Sequence, residues 1–256
     1  MEPVTRKRRM APGDRREAIL DAAQALFMSN GWEQVTIADV LEAADISRGG
    51  FYHHFSAKED LLTGIVTRTT AQALAAAEDI RSQTSGDALA RLNAFLCGSV
   101  RWKADNIHEM RYFSEVLTRP GNDMLYRRIF DATAAEVIPV LKRMISDGAS
   151  EGTFNVSDAG LTAEIIVGLG QGRQHVLSEA MTLALKGNLD QGTDVLTARM
   201  QAEGAVCDRL LGLPGGSVLL SDPRDYRRML AGLASIDDAA AGGPAPANES
   251  LKQERT

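Results

Sequence analysis

The sequence predicts an all-α protein, and three observations support this. Apolar residues recur with a period close to 3.6 between about residue 13 and residue 235. Alternation typical of a β-strand is limited to the short segment 217–220. Gly, Pro and Asn residues divide the apolar pattern into short helices near the N-terminus and longer helices after it. We therefore expect an N-terminal three-helix domain followed by a larger helical bundle.

Composition narrows the class of protein further. The chain has 256 residues, 44% hydrophobic and 24% charged, which is typical of a soluble globular protein with a substantial core. Cys97 and Cys207 lie in helical patterns, so we predict no disulfide framework, no metal and no cofactor. No segment has the pattern of a signal peptide or a membrane span, which predicts a cytoplasmic protein that contacts no membrane. The net charge of -6 indicates that any contact with nucleic acid is local.

Periodicity and composition divide the chain into four segments. A basic arm at 1–12 contains the run RKRR, and we expect it to be disordered. A helix-turn-helix domain follows at 13–66, and a C-terminal helical domain at 67–235. The Ala-, Gly- and Pro-rich tail at 236–256 is too poor in large apolar residues to fold. Whether the basic arm is solvated or enters a DNA minor groove stays open.

Capping residues predict the first two helices. Asp14 is expected as an N-cap with Glu17 at capping-box spacing, and the helix should end before Gly31. The second helix is short, and Thr36 should cap it with Asp39 at the third helical position.

The next two helices follow after very short connections. Ser47 should cap a third helix over 48–55, RGGFYHHF, with Phe51 and Phe55 on its inward face. Ser56 with Glu59 predicts a further capping box, which opens a long fourth helix to about residue 81.

The remaining helices are longer and are separated by Gly and Pro residues. Pro139 lies inside one of them and should kink it. The predicted ranges are 86–104, 106–117, 122–148, 157–186, 192–212 and 223–235.

Two short helices joined by a tight turn, at 36–55, are typical of a DNA-binding helix-turn-helix whose second helix enters the major groove. Gly49 and Gly50 each cost a helix about 1 kcal/mol relative to Ala. Lacking side chains, they would let the backbone approach DNA and let Arg48 reach a guanine edge. Whether Arg48 contacts a base or only a phosphate stays open.

The same segment carries hydrogen-bond donors and no acidic residue between Ile46 and Lys58. Tyr52 and Lys58 are expected to contact phosphates, with a half-buried aromatic and a solvated charge as the alternatives. His54 is interpreted as a core histidine. The predicted DNA-binding residues are Thr36, Arg48, Gly49, Gly50, Tyr52, His53 and Lys58.

The segment TIADVLEAADISRGGFYHHFSAKEDLL resembles the helix-turn-helix of the TetR family. The resemblance rests on Thr36, Gly49, the Phe51-to-Phe55 core and Lys58 with the following leucines, and it is specific over 14–66. It implies a homodimer that binds a palindromic operator in double-stranded DNA. It also implies a C-terminal domain that dimerises and holds a small-molecule effector. Gly50 departs from the family pattern, in which a side chain is usual.

Two groups of polar and aromatic residues in the C-terminal domain are candidates for the effector site. The alternative is that the aromatic residues belong to the core and the charged residues to solvated helix faces. The candidates are Trp102, His108, Arg111, Tyr112, Arg173, Gln174 and His175.

A stripe of small and apolar residues on two later helices suggests a four-helix dimer interface, although a core within one protomer would give a similar pattern. Its members are Leu161, Ile165, Gly168, Leu169, Gly172, Val176, Leu196, Met200, Cys207, Leu210 and Leu211.

These features predict a sequence-specific repressor that an effector releases from its operator. The alternatives are an activator and a DNA-binding regulator that needs no ligand. An enzyme on a helical bundle is a further alternative, but the sequence has no nucleophile–base pair, no paired Glu-x-x-His motif and no phosphate-binding loop. We therefore predict no enzymatic activity.

Overall fold

The computed structural model describes residues 12–110 and 121–241, which form helices joined by turns and short loops without a β-strand. The fold class is therefore all-α, as predicted. None of the described helices is both long and apolar enough to cross a membrane. The α-helices are α1 Pro12–Asn30, α2 Ile37–Ala43, α3 Arg48–Tyr52, α4 Lys58–Gln83, α5 Ala88–Asp105, α6 Asp123–Ser150, α7 Ala159–Gly168, α8 Gln174–Leu185, α9 Leu189–Leu211 and α10 Pro223–Ala241. Short 3₁₀ helices cover Ile107–Met110 and Gln171–Arg173.

Local side-chain caps fix the helix-turn-helix, and the Thr36 capping box is confirmed. The backbone N–H of Thr36 donates to Asp39 Oδ2 at 2.7 Å, and the N–H of Asp39 donates to Thr36 Oγ1 at 3.3 Å. Ser47 Oγ accepts from the N–H of Gly50 at 3.1 Å, as predicted. Between the two helices Asp45 adopts a φ of 50°, a left-handed conformation that Asp tolerates better than most residues. The chain thus turns sharply from α2 into α3.

Two details at this end differ from the sequence prediction. The helix α3 ends at Tyr52 instead of residue 55. The capping box predicted for Ser56 and Glu59 is wrong, because Ala57 is the N-cap and Asp60 accepts the hydrogen bonds. Asp60 Oδ2 accepts from the N–H of Ser56 at 2.7 Å and of Ala57 at 3.1 Å. The helix therefore starts one residue later than the Ser56 spacing suggested.

The C-terminal half also differs from the predicted ranges. The single helix predicted over 157–186 is broken between α7 and α8, where Gly168, Gly170 and Gly172 fall at alternate positions and weaken a continuous helix. The last helix continues to Ala241, past the predicted start of the tail. Residues 1–11 of the predicted basic arm (1–12), residues 111–120, and residues 242–256 of the predicted tail (236–256) lie outside the described residues.

The segment 217–220, which alternates like a strand, pairs with side chains instead of another strand. Asn93 Nδ2 donates to Ser217 O at 2.8 Å, and its Oδ1 accepts from the N–H of Leu219 at 2.9 Å. The buried carboxylate of Asp208 accepts from the N–H groups of Gly216 and Val218, both at 2.7 Å. These side chains take the place of a partner strand, and for the buried N–H of Val218 they supply the acceptor that a buried donor requires.

The helix α4 runs through the predicted domain boundary at residue 66 and belongs to both halves. Its first turns pack in one hydrophobic core with α1, α2 and α3. Tyr126 and Ile129, from the start of α6, belong to that same core. Arg128 also donates to Asp60 Oδ1 at 2.8 Å, which links α6 to the first turn of α4. The two halves are therefore joined by packing as well as by the chain.

Candidate DNA-binding surface and ligand cavity

The short helix α3 presents one buried and one exposed face. Phe51 and Phe55 are buried in the core, with ring centroids 5.8 Å apart. Tyr52 is 50% exposed and stacks edge-on against Phe51 at 5.3 Å. Arg48 and His53 are also exposed. The predicted contact residues on α3 and its C-cap therefore point away from the core and are free to meet a partner.

No internal contact requires a glycine at position 49. A Cβ added to Gly49 would meet no atom within 4 Å, whereas one added to Gly50 would touch Ser47 Oγ at 3.4 Å. Since glycine costs helix stability, a glycine with open space around it indicates a close external approach. The backbone at Gly49 is therefore open to a close approach by a partner.

The structure adds two arginines to this surface that the sequence analysis missed. Arg15 and Arg16, near the start of α1, lie close enough to His54 to affect its charge. Burial lowers the pKa of His54, and the neighbouring charges of His53, Arg15 and Arg16 lower it further. Arg16 also lies with its guanidinium carbon 5.4 Å from the centre of the Phe55 ring. The two adjacent arginines near the start of the first helix were the sequence feature that could have indicated this part of the surface.

Lys58, predicted to contact a phosphate, has a structural role within the protein. Its ammonium donates to the carbonyls of Trp32, at 2.8 Å, and Val35, at 3.0 Å. It also lies 4.3 Å from the centre of a Trp32 ring. Trp32 in turn packs edge-on against Phe27 at 5.0 Å. Lys58 therefore links the loop between α1 and α2 to α4, and its ammonium group makes most of these contacts within the protein.

Thr36 is likewise occupied by its own helix. Its hydroxyl donates to Asp39 Oδ2 at 2.8 Å while accepting from the N–H of Asp39. The residue is exposed, but a phosphate would have to compete with Asp39 for that donor. Its clearest role in the structure is to hold α2 in position.

The C-terminal half contains a cavity of about 340 Å³, lined by residues from all helices between α4 and α10. This size lies at the lower end of the range for small-molecule sites. Most of the wall is apolar, formed by Phe, Leu, Ile, Val and Met side chains. Cys207 lies in the wall, and burial raises the pKa of its thiol to about 11, so it stays protonated.

A buried ion-pair cluster forms one part of the wall. The Glu203 carboxylate accepts from Arg173 Nε at 3.1 Å and from Arg199 Nε at 2.7 Å. A second bond joins Arg173 Nη2 to the other oxygen of Glu203. Tyr126, also in the wall, donates its hydroxyl to Gly170 O at 3.2 Å. The cluster links α9 to the break between α7 and α8.

A second cleft, of about 430 Å³, lies at the opposite end of the domain and is lined mainly by polar and charged residues. The ion pair between Arg91 and Glu151, at 2.5 Å, is part of its wall. A mostly apolar ligand would bury little apolar surface there, so the apolar cavity is the better candidate for a ligand site.

The sequence of the helix-turn-helix matches the profile of a known protein family. The profile of the family described as bacterial regulatory proteins, tetR family, matches residues 19–65. Residues 19–65 therefore form a TetR-type helix-turn-helix domain. The repressor KstR2 of Rhodococcus jostii is 40% identical over 52 residues, which are 20% of this chain and 26% of that protein. The chain thus matches only about a quarter of the length of such curated relatives.

Solved structures extend the similarity of fold beyond the TetR-family domain. A protein from Syntrophomonas wolfei assigned to the TetR family superposes with a TM-score of 0.53 at 18% identity, covering 75% of this chain and 96% of that one. RolR superposes with a TM-score of 0.50 at 18% identity, covering 84% and 96%. At this identity the comparison shows the shared fold of the C-terminal domain.

Of the predicted effector residues, the structure brings only Arg173 into the cavity wall. On α5 the lining positions include Phe95, Ser99 and Lys103, so Trp102 lies on a different face of the helix. The predicted lining role is therefore wrong for Trp102, His108, Gln174 and His175. His108 and His175 are exposed, and Gln174 donates to Asp123 Oδ1 at 3.0 Å. Arg111 and Tyr112 lie outside the described residues.

The residues predicted for the dimer interface separate into two groups. Leu161 and Ile165, on α7, are 55% and 40% exposed. Gly168 and Gly172 are exposed, and Leu169, Val176 and Leu210 are partly buried. In contrast, Leu196, Met200, Cys207 and Leu211 are buried inside the protomer. These four therefore form the core of one protomer and offer no surface to a second copy, which corrects that part of the prediction.

Proposed function

We propose that this TetR-family chain is a cytoplasmic, dimeric transcriptional repressor that a small molecule releases from a palindromic operator. The exposed face of α3, the open space at Gly49 and the nearby arginines support DNA binding. The apolar cavity in the C-terminal half supports a ligand. The family similarity supports a regulatory role without enzymatic activity.

One observation supports a coupling between ligand binding and DNA binding. Val66, Tyr126 and Ile129 line the cavity, and all three belong to the hydrophobic core that holds α3. A ligand that packs against them acts directly on the packing of the DNA-binding domain. Closely packed cores respond to such a change by shifting between discrete arrangements. A ligand that fits one arrangement better shifts the population toward it, and DNA affinity changes accordingly.

The exposed apolar side chains of α7 support the dimer. Leu161 and Ile165 lie one turn apart, and the exposed Gly168 continues the strip without a bulky side chain. Exposed apolar strips of this kind are typical of helix–helix interfaces. A dimer would place two α3 helices on successive half-sites of a palindrome.

Selection of genomic DNA fragments by the purified protein, followed by binding isotherms on the enriched sequence, tests the proposal. We expect a palindromic motif, binding as a dimer, and loss of binding in Arg48→Ala. Enrichment of no sequence above background would contradict a specific regulator. A small-molecule screen for operator release then tests the effector step.

The interface is tested separately by Ile165→Glu, which should produce a monomer in sedimentation and weaken operator binding. The matched control is Leu219→Glu, because Leu219 is 54% exposed and lies outside the proposed strip. A dimeric Ile165→Glu protein with full operator affinity would place the interface elsewhere.

A further inference from the structure

Lys103 is the most unusual group in the cavity wall. It lies on α5, and the same cavity wall includes the apolar side chains of Phe95, Val100 and Met229. Its side chain is partly buried, as expected for a residue that borders a cavity. The described residues provide it with neither a hydrogen bond nor an ion pair. A cation in such surroundings is costly unless it is paired.

The nearest charges increase this cost. Burial lowers the pKa of Lys103, and the positive charge of Arg173 lowers it further. The carboxylate of Glu203 is already shared by Arg173 and Arg199. Among the described residues, the wall therefore carries the Arg173 guanidinium and the Lys103 amine against one carboxylate, which also pairs with Arg199 from outside the wall. An anion placed in the cavity would relieve the imbalance.

The wall offers a further donor near the same region. The hydroxyl of Tyr226 is buried, lines the cavity and completes no hydrogen bond within the described residues. Ser221 lies beside it, but in a geometry that forms no hydrogen bond. Burial raises the pKa of Tyr226 to about 12, so the hydroxyl keeps its proton and can donate. Unpaired buried donors indicate a missing acceptor.

We propose that the ligand of this cavity is a small amphipathic carboxylic acid whose carboxylate pairs with Lys103 and whose apolar body fills the remaining space. The proposal rests on the proposed function of the cavity as an effector site and adds the chemical class of the effector. The volume of about 340 Å³ favours a small acid over a bulky conjugate of an acid with a nucleotide carrier. Arg173 stays bound to Glu203, so Lys103 is the group left to recognise the charge.

Calorimetric titration of the full chain, without DNA, tests the assignment with matched pairs of probes. The pairs are octanoate with 1-octanol and 2-naphthoate with 2-naphthalenemethanol, which differ in the carboxylate but share the apolar body. We expect at least one acid to bind the wild-type protein about tenfold more tightly than its alcohol, as a charge-assisted bond provides. Lys103→Met should abolish that preference and leave the affinity for the alcohol within about twofold.

The control variant is Lys186→Met, because Lys186 is exposed at the end of α8 and should keep the preference. Lys103→Met removes an unpaired buried cation, so it should fold and unfold at a temperature no lower than the wild type. Equal affinity for acid and alcohol in every wild-type pair, including no binding of either, would overturn the proposal. An acid preference that persists in Lys103→Met would overturn it as well.

Operator binding is measured separately, so the two proposals can fail independently. An acid that binds through Lys103 without releasing the operator would contradict the effector step but leave the ligand class intact. Release of the operator by a neutral molecule, with no acid preferred, would contradict the ligand class but leave the regulatory function intact.

Discussion

Replacing Lys58 with methionine tests the role that the structure gives to this residue. Methionine keeps much of the aliphatic chain but removes the ammonium, and with it two hydrogen bonds to the carbonyls of Trp32 and Val35. It also removes the cation that lies 4.3 Å from the Trp32 ring. We therefore expect a less stable protein whose contacts with DNA phosphates are unchanged.

The magnitude follows from these contacts. Hydrogen bonds that involve a charged group contribute about 1.5–3 kcal/mol, and an exposed cation–π contact about 0.5–1 kcal/mol. Lys58 is only partly buried, so water can replace some of the lost bonds. We expect a net loss of about 2 kcal/mol, which lowers the unfolding temperature of a chain of this size by about 4–8 °C.

The assay combines thermal unfolding with DNA binding. The chain has two tryptophans, so a Trp102→Phe background leaves Trp32 as the fluorescent reporter beside Lys58. Lys186→Met is the control for removing an exposed lysine. Operator affinity measured at several salt concentrations should give the same slope for Lys58→Met as for the parent protein.

A specific pair of results would refute this reasoning. If Lys58→Met unfolded at the parental temperature while the salt slope fell by about 0.9 per subunit, the ammonium would be a phosphate ligand. That outcome would restore the role expected from the sequence.

Three further predictions concern the DNA surface and the cavity wall. Gly49→Ala should raise the free energy of unfolding by up to about 1 kcal/mol, because the added Cβ meets no atom within 4 Å. The same change should weaken operator binding about tenfold. An unchanged operator affinity would remove the argument for a close approach of the backbone to DNA. Glu203→Gln should lower the free energy of unfolding by about 2–4 kcal/mol in a denaturant titration, because it leaves Arg173 and Arg199 without their buried carboxylate. The control Glu136→Gln should have little effect, because Glu136 has no described ion pair. Cys207 should resist iodoacetamide at pH 8.5 until the protein unfolds, as measured by mass spectrometry. Because burial raises the pKa of its thiol to about 11 in the folded protein, the free energy of unfolding should fall as the pH rises from about 9 toward 11. Rapid labelling of Cys207 in the folded protein would show that the cavity wall opens readily.

The parts of the fold that the sequence predicted well depend on neighbouring residues. The caps at Thr36 and Ser47 arise from hydrogen bonds that span three residues, so their spacing was sufficient. The predicted capping box at Ser56 was misplaced because Glu59 and Asp60 are adjacent carboxylates. Spacing alone does not decide which of the two accepts the backbone hydrogen bonds at the start of the helix. A one-residue change in helix start follows from that choice.

The parts that the sequence could not predict depend on distant residues. Lys58 bonds to carbonyls 26 and 23 positions earlier, and no local pattern indicates such a contact. The cavity wall combines residues from seven helices, α4 to α10, so the lining role of Lys103 required the packed structure. The stripe with Leu196 and Leu211 was recognised correctly as apolar, but periodicity does not distinguish a face buried in its own protomer from one buried by a partner.

The shared packing of α4 and α6 has a consequence for building hybrid regulators. An exchange of effector domains at residue 66 would separate Val66 from Tyr126 and Ile129, and would also break the bond between Arg128 and Asp60. The unit that must be transplanted intact is therefore discontinuous, consisting of α1 to the first turns of α4 together with the first two turns of α6. A chimera that carries both pieces keeps its hydrophobic core closed, whereas one joined at a single crossover has to rebuild it.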